Sequence, residues 1–168
     1  MAPTGRPSRS TEPSPGPGPA AQPQGGLAGL DPGRSKCGLV RTDGACTRIE
    51  AAEVLPPERT WALLEQWCRQ GLVSAVVLGD GTGSRGWQER LAALMPVHCV
   101  AEHGSTLAAR ERYWELFPPR GWRRCLPRGL RQPPRDWDDV VAQLLLERHL
   151  GRLLPRRGDQ MLARTVKA

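Results

Sequence analysis

No apolar stretch in this 168-residue chain approaches the roughly 20 residues a membrane-spanning helix needs, which argues against a helical membrane protein. The chain has no Gly-X-Y period, no heptad run and no repeat of solenoid length, so collagen, coiled-coil and array architectures drop out. Its five cysteines, Cys37, Cys46, Cys68, Cys99 and Cys125, are odd in number and form no CxxC pair. A disulfide framework and a structural zinc site are therefore not expected. His98, Cys99 and His103 are close enough in sequence to touch a metal, but the reading adopted is apolar filler beside an exposed histidine. The N-terminus lacks the apolar core of a secretory signal, and a reducing cytoplasm is the expected compartment. A tail poor in acids, with Arg and Ser, leaves an organelle transit peptide as the alternative. Aromatic residues are scarce at 5%, and lysine occurs only twice, so almost all positive charge is arginine.

Glycine (19) and proline (17) are abundant and unevenly spread. Residues 1–26 hold seven Pro and five Gly with almost no large apolar side chain. Such a segment cannot bury enough surface to offset its ordering entropy, so it is expected to be a disordered tail. Residues 27–150 suffice for one core, and residues 151–168 read as a basic, frayed tail. Charge is uneven too. Residues 1–109 carry ten basic and ten acidic side chains, whereas residues 110–168 carry fourteen and seven, so the net +7 lies in the last third. Between Leu116 and Arg135 there are six Arg and no acid. A one-sided basic surface suits a polyanionic partner; a solvated Arg-rich face is the plainer reading.

Leu27 to Asp31, Cys37 to Arg41 and Cys46 to Val54 read as strands joined by turns at Pro32-Gly33 and Thr42-Asp43-Gly44. Trp61, Leu64, Trp67 and Cys68 recur at helical spacing, which predicts a helix over 58–70 that starts at Pro57 and ends at Gly71. Ser74 to Gly79 is a continuous apolar run, as a buried central strand requires. A helix bearing Trp87, Leu91, Leu94 and Met95 follows, then a strand from Val97 to Ala101. Ser105 is a plausible N-cap for a helix to Leu116. Residues 117–135 read as a long loop. Asp136 or Trp137 opens a last helix to Leu150, with Val140, Val141, Leu144 and Leu145 inward. The fold class is therefore α/β, a five-stranded mixed sheet made of an antiparallel meander plus βαβ crossovers, with helices on both faces. The Trp and Leu positions are all explicable as core, so no exposed dimer face is expected.

In that order of elements, Asp31 ends the first strand, Glu102 follows the last, and Asp138 and Asp139 sit in the first turn of the closing helix. Strands one, four and five are natural neighbours, so Asp31 and Glu102 would approach each other and the helix would add Asp138. Clustered carboxylates repel unless a cation joins them, and hard oxygen donors suit Mg²⁺ or Mn²⁺. Taken singly, each acid has a structural alternative as a turn, surface or cap residue. The Gly79-Asp-Gly-Thr-Gly-Ser84 loop could hold a phosphate on its backbone N–H groups, but it has no P-loop signature and reads as a tight turn. Asp80 is a possible auxiliary acid. Trp122, among Arg120, Arg123 and Arg124, could stack on a base or pack the loop onto the core.

Three segments carry a resemblance. Gly29-Leu-Asp-Pro-Gly33 with Lys36-Cys-Gly-Leu-Val40, Val100-Ala-Glu-His-Gly-Ser-Thr106 and the helix beginning Asp138-Asp-Val-Val-Ala142 are together similar to motifs of the YqgF/RuvX group. That group comprises Holliday junction resolvases or pre-16S rRNA processing nucleases with an RNase H-like fold. The resemblance runs over about 27–150 in the same order. It implies catalytic and metal-holding roles for Asp31, Glu102 and Asp138, with Asp139 able to assist or substitute. It also matches Lys36 to the basic residue after the first motif, and Ser105 and Thr106 to a hydroxyl pair that supports a phosphate or caps the helix. Ala101 stands where the group has an acid and His103 where it has Arg, and the 79–84 and 117–135 loops also depart from it, so a divergent branch is expected.

The expected function is metal-dependent hydrolysis of phosphodiester bonds in structured nucleic acid, a DNA junction or precursor RNA. Lys36, Ser105, Thr106, Arg120, Trp122, Arg123, Arg124, Arg128 and Arg131 would hold the nucleic acid. A symmetric junction cutter would act as a homodimer, because two strands must be cut. The alternatives are a nucleic-acid-binding scaffold without catalysis and a phosphotransferase of the actin-like class, for which the chain is too short.

Overall fold

In a computed structural model of the chain, residues 25–81 and 83–157 are described. Most of the expected N-terminal tail, Thr82 and residues 158–168 lie outside them. The strands are β1 (Gly26–Asp31), β2 (Cys37–Thr42), β3 (Ile49–Leu55), β4 (Val73–Gly79) and β5 (Val97–Val100). The helices are α1 (Pro57–Arg69), α2 (Ser84–Ala92), α3 (Ser105–Leu116) and α4 (Asp138–Leu150). The sheet order is β3-β2-β1-β4-β5. β2 is antiparallel to both of its neighbours, while β1, β4 and β5 run parallel. The expected meander with crossovers is observed. Among the described residues, no helix is long and apolar enough to cross a membrane.

Strand alternation divides the core. Ala28, Leu30, Leu39, Val76 and Leu78 face one side and pack with Leu64 and Trp67 of α1 and Trp87 and Leu91 of α2. Val40, Ala52 and Val77 face the other and pack with Ala142, Leu145 and Leu146 of α4. α3 lies outside α4 and packs Ala109, Tyr113 and Leu116 against Val140 and Val141. Helices thus cover both faces, as expected.

Four details differ from the sequence reading. β3 begins at Ile49, not Cys46, because the Asp43 carboxylate accepts from the Thr47 N–H (2.6 Å), the Thr47 hydroxyl and the Arg48 N–H, holding a broad loop. Ser105 is not the N-cap of α3; Gly104 takes that position at φ 71°, and Ser105 is buried in the first turn. Residues 151–157 are not frayed. Leu154 and Arg156 are buried, and Ile49 at the edge of β3 exchanges backbone bonds with Pro155 and Arg157. Finally, α4 is enclosed on nearly every side. Its polar row of Asp139, Gln143 and Glu147 receives Arg156 and Leu154 from the returning chain and Arg112 from α3. Leu144 is only half-buried, against α3.

Candidate active site

Alternation along β1 puts Leu27, Gly29 and Asp31 on the α4 side of the sheet, so Asp31 points toward the start of α4. Asp31 pairs with Gly38 of β2. A Cβ on Gly38 would collide with the Asp138 carbonyl, so only glycine lets the first turn of α4 come down onto the sheet here. That contact carries Asp138 to the end of β1. Gly29 likewise admits the backbone of α4 at Ala142.

Glu102 follows β5, next to β4, and its carboxylate lies over Gly79 and Gly81, where a Cβ on either would overlap it. Asp80 fixes the backbone there by accepting the Glu102 N–H at 2.8 Å. From the other side, Arg148 in the last turn of α4 grips the same turn. It donates to the Ala101 carbonyl (2.8 Å), the Ser105 hydroxyl (2.8 Å) and the His103 carbonyl (3.3 Å). His149 beside it stacks on His98 of β5, with ring centroids 4.9 Å apart.

The charges respond to this enclosure. Burial, the Glu102 carboxylate and then Asp138 push Asp31 up to about 7. Burial also raises Glu102, opposed by the Gly81 N–H and reinforced by Asp80. The repulsion is expressed on Asp31, the more enclosed of the two groups that shift. Glu102 Oε1 is buried and has no hydrogen-bond partner among the described residues. Among the described residues, no three His, Cys, Asp or Glu side chains converge as a preformed metal cage. The three acids therefore face one space without closing on it. Their all-oxygen donor set, the orphaned Oε1 and the proton-holding Asp31 fit a hard divalent cation.

The other candidate residues distribute differently. The Asp139 side chain is fully buried between Arg135 (2.8 Å) and Arg156 (2.7 Å). The Lys36 ammonium pairs with Asp136 (2.6 Å) and Asp138 (3.3 Å), and Asp136 chiefly raises it above its usual range. Ser105 is buried under Arg148, whereas Thr106 is exposed. Arg120, Trp122 and Arg124 are exposed in the 117–135 segment, where Arg123 lies over the Trp122 ring at 5.3 Å. Arg131 turns inward to the Leu126 and Arg124 carbonyls. The Arg128 side chain lies outside what is described. His98, Cys99 and His103 form no metal cluster among the described residues. Trp122, Leu107, Leu130 and Leu153 are well exposed, so not every Trp and Leu is core. Sequence reasoning missed Arg148, Asp136 and the glycine seats. Arg148 reads in sequence as a complement to the helix dipole, and its partners lie more than 40 residues away.

No family model matches the chain. A curated Chlorobium phaeobacteroides (strain BS1) protein named "Putative pre-16S rRNA nuclease" is 27% identical over 138 residues, covering 74% of this chain and 90% of that protein. A solved structure, T. thermophilus RuvC in complex with Holliday junction substrate, is 21% identical, with a TM-score of 0.46, over 78% of this chain and 99% of that one. The resemblance to the YqgF/RuvX group carried by three short segments thus recurs over most of the chain in the curated relative.

Proposed function

We propose that this protein is a divalent-metal-dependent nuclease that hydrolyses phosphodiester bonds in structured nucleic acid, either junction DNA or precursor RNA. The observation that carries the reading is the joint approach of Asp31, Glu102 and Asp138 to one space, with Asp31 holding its proton to about pH 7 and Glu102 Oε1 unpartnered among the described residues. The names of the curated relative and of the solved neighbour support the substrate class.

Asp31, Glu102 and Asp138 would hold Mg²⁺ or Mn²⁺, which supplies an activated water and charge stabilisation at the phosphorus and the leaving oxygen. A phosphodiester and three carboxylates repel one another, so the acids alone cannot admit a nucleic-acid backbone. Asp31 releases its proton when positive charge enters, since the repulsion that raised its pKa is then neutralised. Asp80 and Arg148 keep the Glu102 turn in place from opposite sides. Lys36 sits at the rim beside Asp138, and the exposed arginines of 117–135 supply sequence-independent backbone contacts. Asp139 acts structurally, through its arginine pairs. Cutting both strands of a symmetric junction would call for two copies of the chain.

One observation favours a second reading, a nucleic-acid binder without catalysis. The Lys36 ammonium already partners Asp138, and the acids do not form a closed cage. A labelled panel decides: a four-way DNA junction, duplex DNA, single strands and precursor-like RNA, in Mg²⁺, Mn²⁺ or EDTA, with Asp31→Asn alongside. Metal-dependent cutting that disappears in Asp31→Asn is the expected result. Salt-sensitive binding with no cutting in any metal would select the second reading.

A further inference from the structure

The segment between α3 and α4 is built, not slack. Two short 3-10 turns, Gly121–Cys125 and Arg128–Leu130, shape it. Arg131 staples it by donating to the Leu126 carbonyl (2.8 Å) and the Arg124 carbonyl (3.1 Å), while the Trp114 indole N–H donates to the Arg131 carbonyl (3.3 Å). The stapled segment frames an open cleft of about 470 Å³ lined by Pro118, Pro119, Arg120, Arg124 and Arg131. Among the described residues, neither Arg120 nor Arg124 has a carboxylate within ion-pair distance. Trp122 stands on the first of the two turns and is 68% exposed, so it is not packing the loop onto the core.

Arginines alone would serve a duplex backbone, which needs charge and no aromatic ring. An exposed Trp adds a flat apolar surface, and with Arg123 over the ring at 5.3 Å Trp122 still stands 68% exposed. Bases inside a duplex are stacked on one another and reach such a ring only if flipped out at a cost. Unpaired bases reach it without that cost, and every base has a π-face to offer. Resting on the nucleic-acid reading of the acid site, we propose that Trp122 with Arg120 and Arg124 forms a platform for an unpaired nucleotide adjoining a duplex, the base on Trp122 and its phosphates along the arginine cleft. The segment runs on in sequence into Asp136 and Asp138 at the start of α4.

The test is binding, not cleavage, so it stands apart from the nuclease chemistry. Fluorescence anisotropy in EDTA would compare the full chain on a blunt duplex, the same duplex with a single-stranded overhang (each as RNA and as DNA) and a Glu-rich peptide. Trp122→Ala should weaken overhang binding about tenfold and leave the blunt duplex within about twofold, and Trp122→Phe should restore most of the loss. Arg120→Ala with Arg124→Ala should weaken the overhang complex and flatten its salt dependence by about 1.4 units of slope, two contacts at about 0.7 each on a single strand. Which sugar shows the larger Trp122 effect separates RNA from DNA. Equal loss on both ends, no loss, no binding to either nucleic acid, or tighter binding of the peptide than of the overhang would overturn the proposal. If the Trp122 discrimination is present while the metal panel shows no cutting, the platform stands and the catalytic reading fails.

Discussion

Asp138 and Asp139 are adjacent in sequence and opposite in consequence, and replacing each by Asn separates them. Asp139 is fully buried, with Arg156, also fully buried, 2.7 Å from Oδ2 and Arg135 2.8 Å from Oδ1. Removing its charge breaks the fully buried ion pair with Arg156 and the pair with Arg135. Breaking one side of a buried pair costs about 3–5 kcal/mol, a large share of the roughly 5–15 kcal/mol that holds a domain together. For a domain of this size that lowers Tm by on the order of 10–15 °C. Asp138 is partly exposed and pairs with a half-exposed Lys36 at 3.3 Å, an interaction worth at most about 1 kcal/mol. Losing its charge also relieves repulsion on Asp31, which offsets that cost. Urea or thermal unfolding followed by circular dichroism measures both variants, and cleavage is assayed well below each Tm. Asp139→Asn should be strongly destabilised yet active when folded, and Asp138→Asn should be stable and inactive. Equal stabilities, within about 1 kcal/mol, would refute the assignment of Asp139 to the buried network.

Arg148→Ala should free the turn that carries Glu102 and lower kcat about ten- to a hundredfold with KM little changed, because a displacement near 1 Å costs on that scale. Arg148→Lys, which lacks the fork that reaches Ala101, Ser105 and His103 together, should recover only part of the rate; a change in KM alone would count against a positioning role. Asp31 makes a pH prediction whose sign follows from its raised pKa. Between about pH 4 and 7 the folded chain keeps a proton that the unfolded chain has released, so stability contributed by this group falls as pH rises through that window. Asp31→Asn should therefore raise Tm over the parent chain at pH 8 and match it near pH 3. Mg²⁺ should raise the Tm of the parent at pH 8 more than that of Asp31→Asn, which differential scanning calorimetry reads directly.

The strand order was legible because each strand carries its own signal: apolar runs closed by Pro-Gly, Asp-Gly or Gly-Asp, and helices whose Trp and Leu recur every three or four residues. The approach of Asp31, Glu102 and Asp138 followed from that order alone. Local signals failed where the partner is remote. Asp139, Gln143 and Glu147 lie four residues apart and look like a solvent face, yet Arg112 of α3 and Leu154 and Arg156 after α4 enclose them. The same contacts order residues 151–157, whose basic composition reads as a tail. The start of β3 was misplaced because one carboxylate, Asp43, holds a loop that no periodicity records. Trp122 was undecidable in sequence, since exposure is a property of the packed chain.

The position of the acids is set less by the residues beside them than by α4. Its first turn brings Asp138 over Gly38, and its last turn sends Arg148 to the strand turn that holds Glu102. The two residues are ten apart, about 15 Å along the axis, so one rigid rod registers two acids against the third at the end of β1. A helix held only by Ala142, Leu145 and Leu146 could slide along the sheet at little cost, because apolar contact is not directional. Ion pairs at fixed points, Asp139 to Arg156 and Glu147 to Arg112, remove that freedom. Burying them is costly in itself, and a hydrophobic row would bind the same sheet with less penalty. The cost is intelligible if axial register is what the row provides, since a shift of α4 by one turn would carry Asp138 and Arg148 about 5 Å from where the acids need them.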